Sequence, residues 1–213
     1  MDLFGPVRRK SWCGDLYCLV ITDDYSRFSW VQCMAQKSDT FGCIQNIIPM
    51  IENLYKQKVR RIRSDNGTEF KNHSMEEFCK SRSILQEFSA PYTPQQNGVA
   101  ERKNRTIIEI GRTMLADSKL PVRFWNEAVH SAVYVLNRVL TVKKFEKTSY
   151  ELLNLRKPNL EYLEPFGAPC TMLKPNEKFG EKADNGFVIG YATPKKRVWN
   201  TRTAHVEEWL HVD

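Results

Sequence analysis

The sequence has no pair of cysteines at C-x-x-C spacing, and its four histidines (His73, His130, His205 and His211) form no Cys/His ligand set. A structural zinc site inside this chain is therefore not expected. It also lacks any apolar run near the roughly 20 residues that a bilayer-spanning helix requires. The longest runs, such as Tyr17 to Ile21, have only the length of a strand. No stretch of signal-peptide type opens the chain, so the expected location is intracellular, nuclear or cytoplasmic, with no membrane attachment. In such a compartment Cys13, Cys18, Cys33, Cys43, Cys79 and Cys170 are expected as reduced thiols, mostly small buried apolar groups.

Acidic residues are the scarcer charge: 25 Asp and Glu stand against 32 Lys and Arg, a net charge of +7. This excess suits a polyanionic partner such as DNA or RNA, and it is equally compatible with a solvated basic surface. With 41% hydrophobic and 27% charged residues, the chain has the balance of a folded globular protein rather than a disordered tail. Its 213 residues allow one sizeable domain plus a small module.

The first third reads as strands. Tyr17 to Thr22 is β-prone, Asp23-Asp24-Tyr25-Ser26-Arg27 carries turn chemistry, and Phe28 to Met34 alternates apolar and polar residues. Together these predict a hairpin. Ser38 is a good N-cap for a helix whose apolar face is Ile44, Ile47, Ile48, Ile51, Leu54 and Tyr55, with a kink expected at Pro49. A strand from Val59 to Ser64 ends at the turn signal Asp65-Asn66-Gly67. Ser74 and Glu77 have the spacing of a capping box that opens a short helix, and Ile84 to Phe88 is a further strand. After a polar loop with Pro91 and Pro94, helices are expected from about Val99 to Asp117 and from about Pro121 to Leu140. The second of these has Phe124, Trp125, Ala128, Val129, Ala132, Val133 and Leu136 on one side. From about Leu163 short alternating segments separated by glycine and basic turns predict a small β module. The early order of hairpin, helix, strand, helix, strand and helices predicts an α/β core with a mixed sheet.

Two acids occupy positions suited to chemistry. Asp65 ends a strand just before a tight turn, and Glu101 lies in the first turn of a helix, so both can face one cleft. Joining or cutting a phosphodiester requires charge neutralisation at the attacking and leaving oxygens. A pair of Mg²⁺ ions about 3.5–4 Å apart supplies it, and Mg²⁺ takes hard carboxylate oxygens. The same residues also have ordinary structural uses, since Asp before Asn-Gly is turn chemistry and Glu near a helix start favours the dipole.

Arg63-Ser64-Asp65-Asn66-Gly67-Thr68-Glu69-Phe70 and Thr93-Pro94-Gln95-Gln96-Asn97-Gly98-Val99-Ala100-Glu101-Arg102 resemble the integrase cores of copia-type retrotransposons, relatives of retroviral integrases and DDE transposases. Residues 66 through 100, 35 in all, separate Asp65 from Glu101, a spacing typical of that family's last two acids. Met1 to Pro6 is similar to the segment carrying the first acid, and Asp23 to Phe28 to a second-strand motif. Leu163 to Val212, with Phe166-Gly167, Lys178-Phe179 and Gly190-Tyr191, resembles the small barrel that follows the core.

The resemblance implies an RNase H-like mixed sheet flanked by helices over residues 1–140, a linker over 141–162, and a β-rich, SH3-like module over 163–213, cut short at its end. It implies a DNA strand transferase in which Asp2, Asp65 and Glu101 bind two Mg²⁺ or Mn²⁺ ions. Asp23 and Asp24 stand as rival first acids. Gln95, Gln96, Asn97, Arg102, Lys103 and Arg105 are the expected DNA contacts, with Asn97 and Gly98 shaping the loop before Glu101. The implied partners are double-stranded DNA, both element ends and target, and further copies of the chain. Departures are expected to weaken activity: Asp2 stands one residue from the start, on a half-strand expected to fray, and the family's zinc-binding domain is missing. An RNase H-type nuclease and a non-catalytic nucleic-acid-binding remnant are the other readings. Pro194-Lys195-Lys196-Arg197-Val198 resembles a nuclear import signal and is also a plausible basic turn.

Overall fold

The computed structural model describes residues 1–89, 98–173, 183–192 and 195–210. The chain forms two compact units, Met1–Thr106 and Ile107–Asp213, and the division falls within one helix.

In the first unit β1 (Asp2–Phe4), β2 (Tyr17–Thr22) and β3 (Ser29–Met34) form an antiparallel sheet in that order. The expected hairpin is β2–β3, with Tyr17 opposite Met34 and Thr22 opposite Ser29. Asp2 faces Val20 and Phe4 faces Cys18, so β1 is laddered to β2 along its whole length. A second, parallel pair joins β4 (Arg61–Ser64) to β5 (Leu85–Phe88). The main-chain nitrogen of Met1 donates to Arg63 O at 2.5 Å, which sets β1 beside β4. The antiparallel trio and the parallel pair together give the mixed sheet of an RNase H-like α/β fold.

Two helices cover this sheet. A 3-10 turn at Lys37–Asp39 leads into α1 (Thr40–Tyr55), which continues through Pro49. Ser38 does not cap α1; its hydroxyl donates to Gln36 Oε1 at 3.3 Å, while Asp39 Oδ2 accepts from Gln36 N at 2.9 Å. Ile44, Ile47, Ile48 and Ile51 of α1 pack with Leu19, Ile21, Met34, Ile62 and Phe70. Each such side chain contributes about 1.5–3 kcal/mol when withdrawn from water. Leu54, expected on that face, is 64% exposed. The next helix, α2 (His73–Ser81), is capped by Asn72, whose Oδ1 accepts from Met75 N at 2.9 Å, rather than by Ser74. Asn72 wins because its backbone is extended while Ser74 is already inside the helix.

The helix α3 (Gly98–Ser118) spans the division between units. In the second unit a 3-10 turn at Val122–Phe124 opens α4 (Trp125–Val139), and all seven residues expected on its apolar side are buried. Residues 141–162 hold a short hairpin, β6 (Thr141–Val142) with β7 (Lys147–Thr148), and α5 (Ser149–Asn154), opened by a Thr148–Glu151 capping box. The strand-rich end follows as β8 (Pro169–Leu173), β9 (Ala183–Ala192), β10 (Lys195–Asn200) and β11 (His205–Trp209), an antiparallel meander around Cys170, Met172, Val188 and Val198.

The described part of the basic run lies in β10 and forms no turn. Its cations are paired: Lys195 with Glu208 at 3.6 Å, Lys196 with Glu164 at 3.1 Å and Arg197 with Glu127 at 2.8 Å. Of the six cysteines, Cys18, Cys79 and Cys170 are buried, Cys33 and Cys43 are half-buried and Cys13 is exposed, so burial is less general than expected.

Candidate active site

Asp2 sits on β1, which is laddered to β2 on one side and, through the adjacent Met1, bonded to Arg63 of β4. Its Oδ1 accepts from Leu3 N at 2.9 Å and its Oδ2 from Asn104 Nδ2 at 2.6 Å. Burial pushes the Asp2 carboxyl above its ordinary pKa; the Leu3 amide opposes this, and the negative charges of Asp65 and Glu101 add to it. The strand expected to fray is therefore held by ladder bonds to β2 and by a side-chain bond to α3.

Asp65 follows β4 directly. Its Oδ1 accepts from Gly67 N at 3.0 Å, closing an Asx turn that the Asp-Asn-Gly sequence favours. Asn66 Nδ2 donates to Ser89 O at 2.8 Å, fixing this turn to the end of β5. The Glu69 carboxylate lies over Gly67, where an added Cβ would stand 2.6 Å from it, and it pairs with Lys37 at 3.1 Å. Glu101 is in the first turn of α3 and exposed.

Asp65 and Glu101 thus each lie within electrostatic reach of Asp2. Their oxygens do not close on one point: among the described residues no group of three or more His, Cys, Asp or Glu side chains is placed to hold a metal ion. The chemistry of the set still fits a hard divalent cation. A carboxylate whose pKa is raised by burial first and by two neighbouring acids in addition is relieved by positive charge, and carboxylate oxygens are the ligands Mg²⁺ prefers.

Asp23 and Asp24 have other occupations. Asp23 Oδ2 accepts from both Ser26 N and Ser26 Oγ at 2.7 Å, closing the β2–β3 turn. Asp24 pairs with Arg27 at 2.7 Å on the surface.

Of the expected DNA contacts, Gln95, Gln96 and Asn97 lie outside the described residues. Arg102 and Arg105 are exposed on α3. Lys103 is half-buried; burial first, and the nearby charge of Arg27 second, lower its pKa to about 8.

Sequence reasoning missed Asn104. It is 5% exposed, and its Oδ1 is buried with no hydrogen-bond partner. The signal was available, because Asn104 stands three residues after Glu101 and so on the same helix face.

Residues 1–94 match the integrase core domain family. The chain is 36% identical over 204 residues to the retrovirus-related Pol polyprotein from transposon TNT 1-94 of Nicotiana tabacum, an alignment that covers 93% of this chain. It spans only 15% of that polyprotein's length. Among solved structures, the simian T-cell lymphotropic virus intasome in complex with PP2A regulatory subunit B56 gamma contains a similar chain. The TM-score is 0.57 at 16% identity, over 100% of this chain and 77% of that one. The HTLV-2 integrase catalytic core domain in complex with magnesium gives a TM-score of 0.50 at 21% identity, over 71% of this chain and 95% of that one.

Proposed function

The chain belongs to the integrase core family, and from that premise we propose that it is the catalytic segment of a retrotransposon DNA strand transferase. In this reading Asp2, Asp65 and Glu101 are the catalytic acids and hold two Mg²⁺ or Mn²⁺ ions. The observation that supports the reading is that three elements of one unit, β1, the β4 end and the first turn of α3, carry Asp2, Asp65 and Glu101, with the Asp2 pKa raised by burial first and by the charges of Asp65 and Glu101 in addition. The HTLV-2 core with the same kind of fold was captured with magnesium.

When bound, the ions neutralise charge at the attacking and leaving oxygens of a phosphodiester. The residues of this chain do the positioning. The β1–β2 ladder and Asn104 fix Asp2, and the Asx turn with the Asn66–Ser89 bond fixes Asp65. Arg102, Lys103 and Arg105, with Gln95, Gln96 and Asn97 just before them in the sequence, bind phosphates of the element end and the target duplex. The fold neighbours from an intasome and from a trimeric core support self-association as the working state.

The test is strand transfer on a branched DNA substrate, which makes few demands on flanking domains. Activity that requires Mg²⁺ or Mn²⁺ and disappears in Asp65→Asn is the expected result. Salt-sensitive duplex binding with no metal-dependent joining or cutting overturns the catalytic reading and leaves a DNA-binding module. Metal-dependent hydrolysis without joining would instead make it a nuclease.

A further inference from the structure

We propose that the β1–β2 connection, residues 5–16, is a duplex-DNA docking hairpin whose Arg8 and Lys10 take backbone phosphates beside the reacting position. This rests on the strand-transferase reading above and extends the DNA surface beyond α3.

The connection is built and held. Val7 N donates to Leu16 O at 2.7 Å and Leu16 N to Met34 O at 2.9 Å, which extend the ladder past β1 and tie the hairpin to β3. Ser11, 6% exposed, staples the tip: its N donates to Asp15 O at 2.9 Å, its Oγ accepts from Asp15 N at 2.8 Å, and the same hydroxyl donates to Asp15 Oδ2 at 3.0 Å. Gly5 has φ +133°, and a Cβ there would come 2.6 Å from Leu16 O, so the strands close tightly at the base. Cations on a held loop lose little freedom when they meet a ligand.

Positive charge predominates in the connection, three cations against one acid. Arg8, Arg9 and Lys10 are all exposed, and the one acid of the connection, Asp15, is engaged by Ser11 and Cys13. Among the described residues no ion pair involves Arg8 or Lys10. Two exposed cations without an ion pair on a held connection are the kind of surface that binds a phosphate backbone without reading sequence.

Position supplies the rest. Met1, at the start of β1, touches Arg63, and Lys37, just beyond the end of β3, touches Glu69. The segment from Arg63 to Glu69 therefore runs toward the same end of the sheet as the hairpin. That is the end at which Asp65 emerges. From Asp2 to Arg8 an extended chain spans at most about 20 Å, or roughly six steps of a DNA strand at about 3.4 Å each. A phosphate about six steps or fewer from a phosphodiester at the acids is therefore within reach of this hairpin.

The experiment is binding of the full chain to a fluorescein-labelled 20-base-pair duplex, followed by anisotropy across a salt series without divalent metal. The double variant Arg8→Gln/Lys10→Gln is run beside Arg156→Gln/Lys157→Gln, an equal loss of charge at exposed residues of the second unit. The slope of log affinity against log salt should shrink by about 1.8 in the hairpin variant, and affinity near about 0.1 M salt should fall roughly 60-fold. The control should change little, and Arg8→Lys/Lys10→Arg should bind like the parent, which separates lost phosphate contacts from a lost fold. Equal losses in hairpin variant and control, or parental binding by the hairpin variant, would overturn the proposal while leaving the strand-transferase reading intact. A parent that shows no salt-dependent duplex binding would end both.

Discussion

Asn104 gives its amide proton to Asp2 at 2.6 Å and leaves its own oxygen buried and unpartnered, so it holds the acid at a cost. If Asp2 binds metal as proposed above, the donor that orients it supports metal affinity and activity. Asn104→Ala is therefore expected to lower strand transfer about 10–100-fold with duplex affinity within about twofold, by single-turnover assay and anisotropy respectively. Loss of DNA binding in step with activity would contradict this role. Gly186 makes a contrasting case, since a Cβ there would stand 2.4 Å from Trp199 O and 2.8 Å from Met172 Cε. The first clash is with backbone, which cannot swing aside. Gly186→Ala is expected to destabilise the chain by about 2 kcal/mol or more, measured by urea unfolding, and a variant as stable as the parent would refute the contact.

At the scale of elements, Glu52 on α1 joins three pieces of the first unit. It accepts from Val59 N at 2.9 Å, bonds Arg82 just beyond α2, and lies 3.6 Å from Lys58. Burial alone would raise its pKa; the Val59 amide, Arg82 and Lys58 outweigh burial and hold it below the ordinary Glu value. A depressed folded pKa gives stability that is present above the unfolded Glu value, about pH 4.3. That stability is lost as pH falls through the folded value. Glu52→Gln should therefore flatten the acid limb of a stability-versus-pH curve, and Glu52→Ala should cost about 3 kcal/mol at neutral pH. An unchanged acid limb in Glu52→Gln would rule the linkage out. These joints were not legible in the sequence, because they are tertiary. What could be read was periodic: the β2–β3 alternation, the isoleucine face of α1 and the apolar side of α4. Capping went wrong at Ser38 and Ser74, where a suitable residue type lay within two positions of the site the backbone uses for the cap. The order inside residues 141–162 was hidden because strands of two residues and a six-residue helix carry no period.

For the molecule as a whole, the three acids are legible through motif, spacing and resemblance, and the fold adds the elements that carry them: β1, the β4 end and the first turn of α3. Asp2 and Asp23 both follow or open strands in the sequence; the structure separates them by giving Asp23 to its own turn and Asp2 to α3. The net charge of +7 becomes informative once it is placed, with exposed cations on α3 and on the β1–β2 hairpin of the same unit as the acids. The central claim is that Asp2, Asp65 and Glu101 work as one ion-binding unit. The most direct measurement is single-turnover strand transfer on the branched substrate by Asp2→Asn, Asp65→Asn, Glu101→Gln and the triple variant, with Asp23→Asn alongside. Groups acting as a unit lose activity non-additively, so each single variant should fall as far as the triple while Asp23→Asn keeps activity. A single variant that retains parental activity, or an Asp23→Asn that alone abolishes it, would contradict the account.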